Sequence, residues 1–96
     1  MGRTHQTLKY PYQDSQLLGI TYRRPDEVFF QVRLLDGRDV TLCVTGFIDS
    51  PDIRKAIAGF AVPDELYGVS QGEKAVTVHC SRLGNIVFPA GEIIEL

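Results

Sequence analysis

His79 offers the clearest starting point for chemistry, because the imidazole of histidine changes its protonation state near neutral pH. Thr77, His79 and Ser81 alternate with apolar residues, so they are predicted to share one face of a strand. A hydroxyl beside an imidazole is the arrangement that activates a nucleophile. Polar residues on one face are also typical of a half-solvated sheet, and no motif such as G-x-S-x-G or H-E-x-x-H accompanies them. A small enzyme that uses His79 is therefore the weakest of our three functional hypotheses.

The two cysteines, Cys43 and Cys80, do not form a metal-binding pattern. Neither belongs to a C-x-x-C pair, and structural zinc normally has four ligands. His79 and Cys80 are neighbours on a strand and point to opposite faces, so they are not expected to share a metal. We predict no cofactor and no metal site. Since residues 1–6 lead into no apolar stretch, no signal peptide is expected, and the cysteines are predicted to be buried structural thiols in the reducing cytoplasm.

Aromatic residues close to arginines form the most suggestive group in the sequence. Exposed aromatic and arginine side chains together are typical of the central contacts of protein–protein interfaces. The same residue types can stack on nucleobases. Alternatively, Phe29 and Leu35 pack under a helix, in a sheet that is covered on both faces. The predicted partner-binding residues are Tyr10, Tyr12, Tyr22, Arg23, Arg24 and Phe29.

Composition favours one small folded domain with a protein partner. The 96 residues carry a formal net charge of −2, which opposes the phosphate binding that dominates nucleic-acid affinity. Hydrophobic residues make up 44% of the chain, enough for one core, and no apolar run approaches the roughly 20 residues of a membrane-spanning helix. We expect a mobile N-terminus at residues 1–7, one domain at residues 8–96, and no membrane association. A homo-oligomer is compatible with this composition.

The register of a first hairpin follows from its apolar pattern. A two-residue loop at Asp36-Gly37 would set the apolar face of one strand against the polar face of the other. A three-residue loop at residues 35–37 brings the two apolar faces together. Such a loop ends in a residue with positive φ, a conformation that Gly37 adopts at little cost. The predicted pairs are Val28 with Val44, Phe30 with Leu42, Val32 with Val40 and Leu34 with Arg38.

A second hairpin near the C-terminus is predicted to use the same type of loop. With Arg82-Leu83-Gly84 as the loop, apolar residues again meet apolar residues, and Gly84 takes the place of Gly37 as the residue with positive φ. The predicted pairs are Ser81 with Asn85, Cys80 with Ile86 and Val78 with Phe88.

A helix is predicted between the hairpins. Ser50 is a suitable N-cap, Pro51 suits the first helical position, and Asp52 is favourable near the positive end of the helix dipole. Apolar residues recur at helical spacing as far as Phe60, and Gly59 is a candidate terminator. We predict one further helical turn at residues 63–67, while residues 92–96 could form either a closing strand or a turn.

These elements predict an α+β or mainly-β fold. We expect a strongly bent antiparallel sheet, or partly open barrel, of five to six short strands with one helix after the third. Its first strand is predicted where Leu18, Ile20 and Tyr22 alternate with polar residues or glycine. The predicted core consists of Val28, Phe30, Val32, Val40, Leu42, Val44, Ile57, Val76, Val78, Ile86 and Phe88.

Two segments resemble a known family of nucleic-acid-binding barrels. Residues 34–38, followed by Gly46-Phe47, and later residues 82–86 are similar to the two hairpins of Sm-like RNA-binding proteins. Those proteins are small bent-sheet barrels that assemble into rings and bind single-stranded RNA. The sequence departs from that family at Leu42, where glycine is usual, and at Pro51, where a helix replaces the strand that carries an RNA-contacting asparagine.

The leading hypothesis is therefore a non-enzymatic protein-interaction module, such as an adaptor, an inhibitor or a subunit that docks on a larger protein. The alternative is a single-stranded nucleic-acid-binding small barrel, supported by the Sm-like resemblance and by Arg23, Arg24, Arg33 and Arg38. That alternative requires Arg33 and Arg38 to lie on the same surface as the tyrosines.

Overall fold

Seven antiparallel strands and one helix make up the regular structure in a computed structural model, which describes residues 12–60 and 63–96. The elements are β1 (Ser15–Arg24), β2 (Glu27–Arg33), β3 (Asp39–Thr45), α1 (Pro51–Ala58), β4 (Asp64–Gln71), β5 (Ala75–Cys80), β6 (Asn85–Pro89) and β7 (Glu92–Glu95). The strand order across the sheet is β6-β5-β4-β1-β2-β3-β7. The predicted antiparallel sheet with a helix after the third strand is confirmed, with seven strands in place of five to six. The predicted mobile terminus, residues 1–7, lies outside the described residues.

The sheet bends until its two distant halves share one core. Phe30 on β2 and Phe88 on β6 make an edge-to-face contact with ring centroids 5.9 Å apart, although three strands separate them in the sheet order. The described strands do not close into a ring, so the architecture is a partly open barrel. Every predicted core residue is buried except Ile57, which is half-buried against the core.

The predicted helical turn at residues 63–67 is wrong. Pro63-Asp64-Glu65 resembles a helix start, but these residues lead into β4, whose inward-facing Leu66 is buried and pairs with Ser15 of β1. Residues 92–95 form β7, which pairs with β3. Pairing with distant strands determines the secondary structure of both segments, because neither has a periodic pattern long enough to determine it locally.

A bulge changes which residues of β1 face the core. The register shifts between Leu17 and Gly19, so Leu17 is fully buried whereas Leu18 is half-buried. Beyond the bulge, Ile20 and Tyr22 pack against the core as the alternation predicted. A bulge inserts one unpaired residue, and the alternation in the sequence does not reveal it.

The first hairpin has the predicted register. Val28, Phe30 and Val32 pair with Val44, Leu42 and Val40. The Leu34 amide donates to the Arg38 carbonyl at 2.8 Å, which leaves residues 35–37 as the loop. Gly37 has a φ of +93°.

The register predicted for the second hairpin is wrong by two residues. His79 pairs with Asn85, Val78 with Ile86 and Val76 with Phe88. The Cys80 amide donates to the Gly84 carbonyl at 3.0 Å, so the loop is Ser81-Arg82-Leu83, although Gly84 does have a positive φ of +76°. A shift of two residues keeps every side chain on the same face, so the apolar pattern fits both registers equally well.

The start of α1 follows the predicted capping pattern. The Ser50 hydroxyl accepts a hydrogen bond from the Ile53 amide at 3.3 Å, and Pro51 occupies the first turn. Ile53 is buried, Ala56 and Ile57 are half-buried, and Gly59 caps the end. The helix packs against β6.

Asp64 is a buried carboxylate that is held by backbone amides. Its oxygens accept hydrogen bonds from the amides of Glu65, Arg82 and Leu83 at 2.8–3.0 Å, and the residue is only 5% exposed. Burial alone would raise the pKa of Asp64, but these hydrogen bonds outweigh it, so the pKa lies below its ordinary value. The carboxylate therefore fixes the loop between β5 and β6.

We expect Asp64→Asn to destabilise the protein at pH 7 by about 1–3 kcal/mol, because an amide places N–H groups against N–H donors. Since folding lowers the pKa of Asp64, its stabilising effect is complete above the unfolded pKa of about 4 and is lost as the pH falls through the folded value. Urea unfolding from pH 7 to pH 2.5 should show the difference between the proteins shrinking in acid. Asp26→Asn, at an exposed turn, is the control; a difference that does not depend on pH would contradict this role.

We expect Gly37→Ala to cost about 1 kcal/mol or more of unfolding free energy, because a β-carbon is unfavourable at positive φ. A Cβ added at Gly37 meets no atom within 4 Å, so the cost lies in the backbone alone. Gly68→Ala is the matched control, since it has equally open space without a positive φ, and urea unfolding compares the two. Equal stability of the two variants would contradict the explanation.

Candidate protein-docking surface

The outer face of β1, β2, β3 and β7 brings together residues that are distant in sequence. Thr21 pairs with Phe29, Phe29 with Cys43, and Cys43 with Ile94, which places the four side chains in one row across the sheet. Phe29 is half-buried and Ile94 is 37% exposed. The Arg23 guanidinium lies 5.8 Å from the centroid of the Phe29 ring, which is within cation–π range.

Arg23 and Arg24 share one carboxylate. Their Nε atoms lie 3.7 and 3.8 Å from Oε1 of Glu27, too far for hydrogen bonds. The arginine side chains are 58% and 64% exposed, whereas Glu27 is 20% exposed. Two guanidinium groups around one carboxylate leave one positive charge in excess. We call Arg23, Arg24, Glu27, Phe29 and Ile94 the Arg–Phe surface.

Neither cysteine thiol is set up for nucleophilic chemistry. Burial, and secondly the nearby Glu27 carboxylate, raise the pKa of Cys43, whose Sγ lies 3.9 Å from Glu27 Oε2. Burial, and secondly Asp64, raise the pKa of Cys80 to about 11. Both cysteines are free and buried, so they remain protonated near neutral pH.

Tyr12, one of the predicted tyrosines, does not join the Arg–Phe surface. Tyr12 is 4% exposed, packs in the core, and donates a hydrogen bond from its hydroxyl to Glu95 at 2.5 Å. Its prediction as an exposed contact residue is corrected, because a buried ring with a satisfied hydroxyl is a core residue. Tyr10 lies outside the described residues.

Tyr22 has a positioning role. Its hydroxyl donates to the Asp49 carboxylate, which also accepts a hydrogen bond from Arg54 on α1. Burial, and secondly the Asp49 hydrogen bond, raise the pKa of Tyr22, while Arg54 and then Tyr22 lower the pKa of Asp49. These bonds connect β1 to the start of α1.

His79 contacts a different hydroxyl from the two predicted. Its Nε2 lies 3.3 Å from Ser70 Oγ on β4, and its Nδ1 lies 3.0 Å from Asn85 Oδ1 on β6. Ser81 instead accepts a hydrogen bond from Tyr67. These three residues lie on the outer face of the other half of the sheet. His79 pairs directly with Asn85, which is uncharged, whereas Ser70 pairs with Thr77 and reaches His79 diagonally. These contacts are accounted for as cross-strand hydrogen bonding.

The alternative in which a helix covers Phe29 and Leu35 is not what the structure shows. Leu35 is 78% exposed at the first hairpin, and α1 packs against β6. Sequence reasoning missed Glu27 and Ile94. The predicted pairing of Phe30 with Leu42 implies that Phe29 lies opposite Cys43, but Ile94 depends on β7, which the sequence left undecided.

Residues 12–60 and 63–96 contain neither a metal-ligand cluster nor a membrane-spanning helix. No group of three or more His, Cys, Asp or Glu side chains there is arranged to hold a metal ion. No helix in the same part of the chain has the length and apolarity to span a membrane. Comparison with known family models, curated proteins and solved structures finds no match for this chain.

We expect Tyr22→Phe to lower the free energy of unfolding by about 1 kcal/mol, because it removes the hydroxyl that connects β1 to Asp49. Tyr67→Phe removes an exposed hydroxyl that bonds only Ser81 and should change stability by less than about 0.5 kcal/mol. Thermal and urea unfolding of both variants measure the difference. If Tyr22→Phe is as stable as Tyr67→Phe, the connection through Asp49 is not what holds α1 in place.

Proposed function

We propose that the protein is a non-enzymatic interaction module that docks on a larger protein through the Arg–Phe surface. The observation that carries the proposal is Arg23 over the Phe29 ring, in the same cross-strand row as the exposed Ile94, on an outer sheet face that no described helix covers. A planar guanidinium on an aromatic ring is a typical anchor of protein interfaces.

The partner surface that fits is acidic with an apolar centre. Arg23 and Arg24 have no hydrogen bond to any described side chain, so their donors are available to a carboxylate, which guanidinium binds in a two-pronged geometry. Phe29 and Ile94 supply the apolar part of the surface. An adaptor, an inhibitor or a subunit of a larger complex could use such a surface.

Single-stranded nucleic acid is the alternative, and the described contacts favour it less. Arg33 pairs with Asp39 at 2.8 Å and Arg38 with Asp36 at 2.7 Å, so both guanidiniums are already neutralised. Tyr12, one of the rings proposed to stack on bases, is buried. The net charge of −2 also opposes phosphate binding.

We further propose a cytoplasmic location, since free and buried cysteines suit a reducing compartment.

The proposal is tested by cross-linking the tagged protein in its host, followed by affinity measurement with the purified partner. Arg23→Ala should weaken that complex by about 2 kcal/mol, roughly 30-fold, because it removes the stacked anchor. Arg82→Ala is the matched control, since Arg82 is an exposed arginine of the β5–β6 loop, on the other half of the sheet. Equal losses in the two variants would contradict docking through this surface.

A parallel titration with single-stranded RNA distinguishes the alternative. If the partner is a protein, we expect no RNA binding that depends on Arg23. Sub-micromolar RNA affinity that falls log-linearly with salt and is lost in Arg23→Ala would replace the protein partner with nucleic acid.

A further inference from the structure

The outer edge of β6 has backbone groups that no described strand pairs with. Among the strands of residues 12–60 and 63–96, β6 is the last on its side of the sheet and pairs with β5 alone. The Cys80–Gly84 hydrogen bond identifies a hydrogen-bonded pair, and such pairs alternate along an antiparallel ladder. Ile86 and Phe88 therefore bond β5, whereas the N–H and C=O groups of Asn85 and Val87 point away from the sheet.

One end of this edge is already used by the chain itself. The Ile48 amide, in the segment between β3 and α1, donates to the Pro89 carbonyl at 2.9 Å. Pro89 has no N–H to offer. The contact shows that a main-chain amide of another segment can bond the outer edge of β6, and it limits the open edge to Asn85 and Val87.

A cleft of about 340 Å³ lies between this edge and α1. Ile53 and Ala56 form its helix side, Ile86 and Val87 form its strand side, and Val87 is 48% exposed. Asp52 is at the rim and has no ion pair with any described side chain. The cleft therefore combines backbone donors and acceptors, an apolar wall and one carboxylate.

We propose that this cleft binds an extended peptide segment of a partner protein, which adds to β6 as a further strand. Main-chain groups of the segment bond Asn85 and Val87, a small or β-branched apolar side chain contacts Ile53 and Ala56, and a basic side chain faces Asp52. Only extended backbone offers donors and acceptors at the spacing of a strand edge.

Charge favours a basic segment over a second copy of this chain. The other edge strand of the described sheet, β7, carries Glu92 and Glu95, which would bring like charge toward Asp52. Residues 85–89 of β6 contain no basic residue that a second copy could place there. The proposal does not rest on the Arg–Phe surface, which lies on the other half of the sheet.

The test uses the full chain and a random heptapeptide library displayed on phage. Wild type should enrich alternating apolar sequences with Lys or Arg, and Val87→Pro should lose about tenfold or more in affinity for the selected peptide, because it removes an edge N–H without breaking a bond to β5. Val87→Thr keeps the N–H and the branched shape and is the matched control. Asp52→Asn should reduce the preference for basic peptides.

Hydrogen exchange of the wild type makes the test independent of whether Val87→Pro folds. The Val87 amide should exchange fast in the free protein and become protected when the selected peptide is added, whereas Ile86 and Phe88 should be protected throughout. The proposal is overturned if wild type enriches no peptide that Val87→Pro does not, or if the peptide leaves the exchange rate of the Val87 amide unchanged. It is also overturned if raising the protein concentration alone protects this amide, because the edge would then bind a second copy of the chain. Arg23→Ala should bind the peptide normally, so failure here and failure of the Arg–Phe surface are distinguishable.

Discussion

The two halves of the sheet are held together by three residue pairs between β1 and β4, namely Ser15 with Leu66, Gln16 with Glu65, and Leu17 with Asp64. The first half is β1-β2-β3-β7 and the second is β4-β5-β6. At the end of this short junction, the Asp64 carboxylate also binds the amides of Arg82 and Leu83. The Asp64 side chain thus fixes the β5–β6 loop beside the junction, and across the bent sheet Phe88 on β6 makes its edge-to-face contact with Phe30 on β2.

The helix adds a second connection between the same halves. Tyr22 on β1 binds Asp49, Asp49 binds Arg54, and the apolar face of α1 packs against β6. In this arrangement the Tyr22 hydroxyl is occupied in positioning α1. The arrangement also separates the two proposed surfaces. The Arg–Phe surface belongs to a half whose outer face no described helix covers, whereas the cleft lies where α1 packs beside the edge of β6.

The sequence predicted those features that local apolar pattern and capping decide. The register of the first hairpin, the positive φ of Gly37 and Gly84, the Ser50 cap and nearly all of the core are confirmed. The register of the second hairpin was missed because a slip of two residues keeps every side chain on the same face of the sheet. The loop of this hairpin is bound by Asp64, which is distant in sequence. β4 was missed because Pro63-Asp64-Glu65 is locally typical of a helix start. Tyr12 was misplaced because burial of an aromatic ring depends on what lies opposite it, here Glu95.

The two edge strands of the described sheet are protected against pairing with other chains in different ways. The difference determines which further strand each edge could accept. β7 is four residues long and carries glutamates at both ends, so pairing with another chain brings like charges together. β6 has no charged residue, and in the part of the chain that the structure describes, Pro89, the Ile48 contact and α1 leave Asn85 and Val87 as its accessible edge residues. Such an edge is too short and too crowded to template another sheet, which limits aggregation. It still admits a single extended segment narrow enough to lie between the helix and the strand.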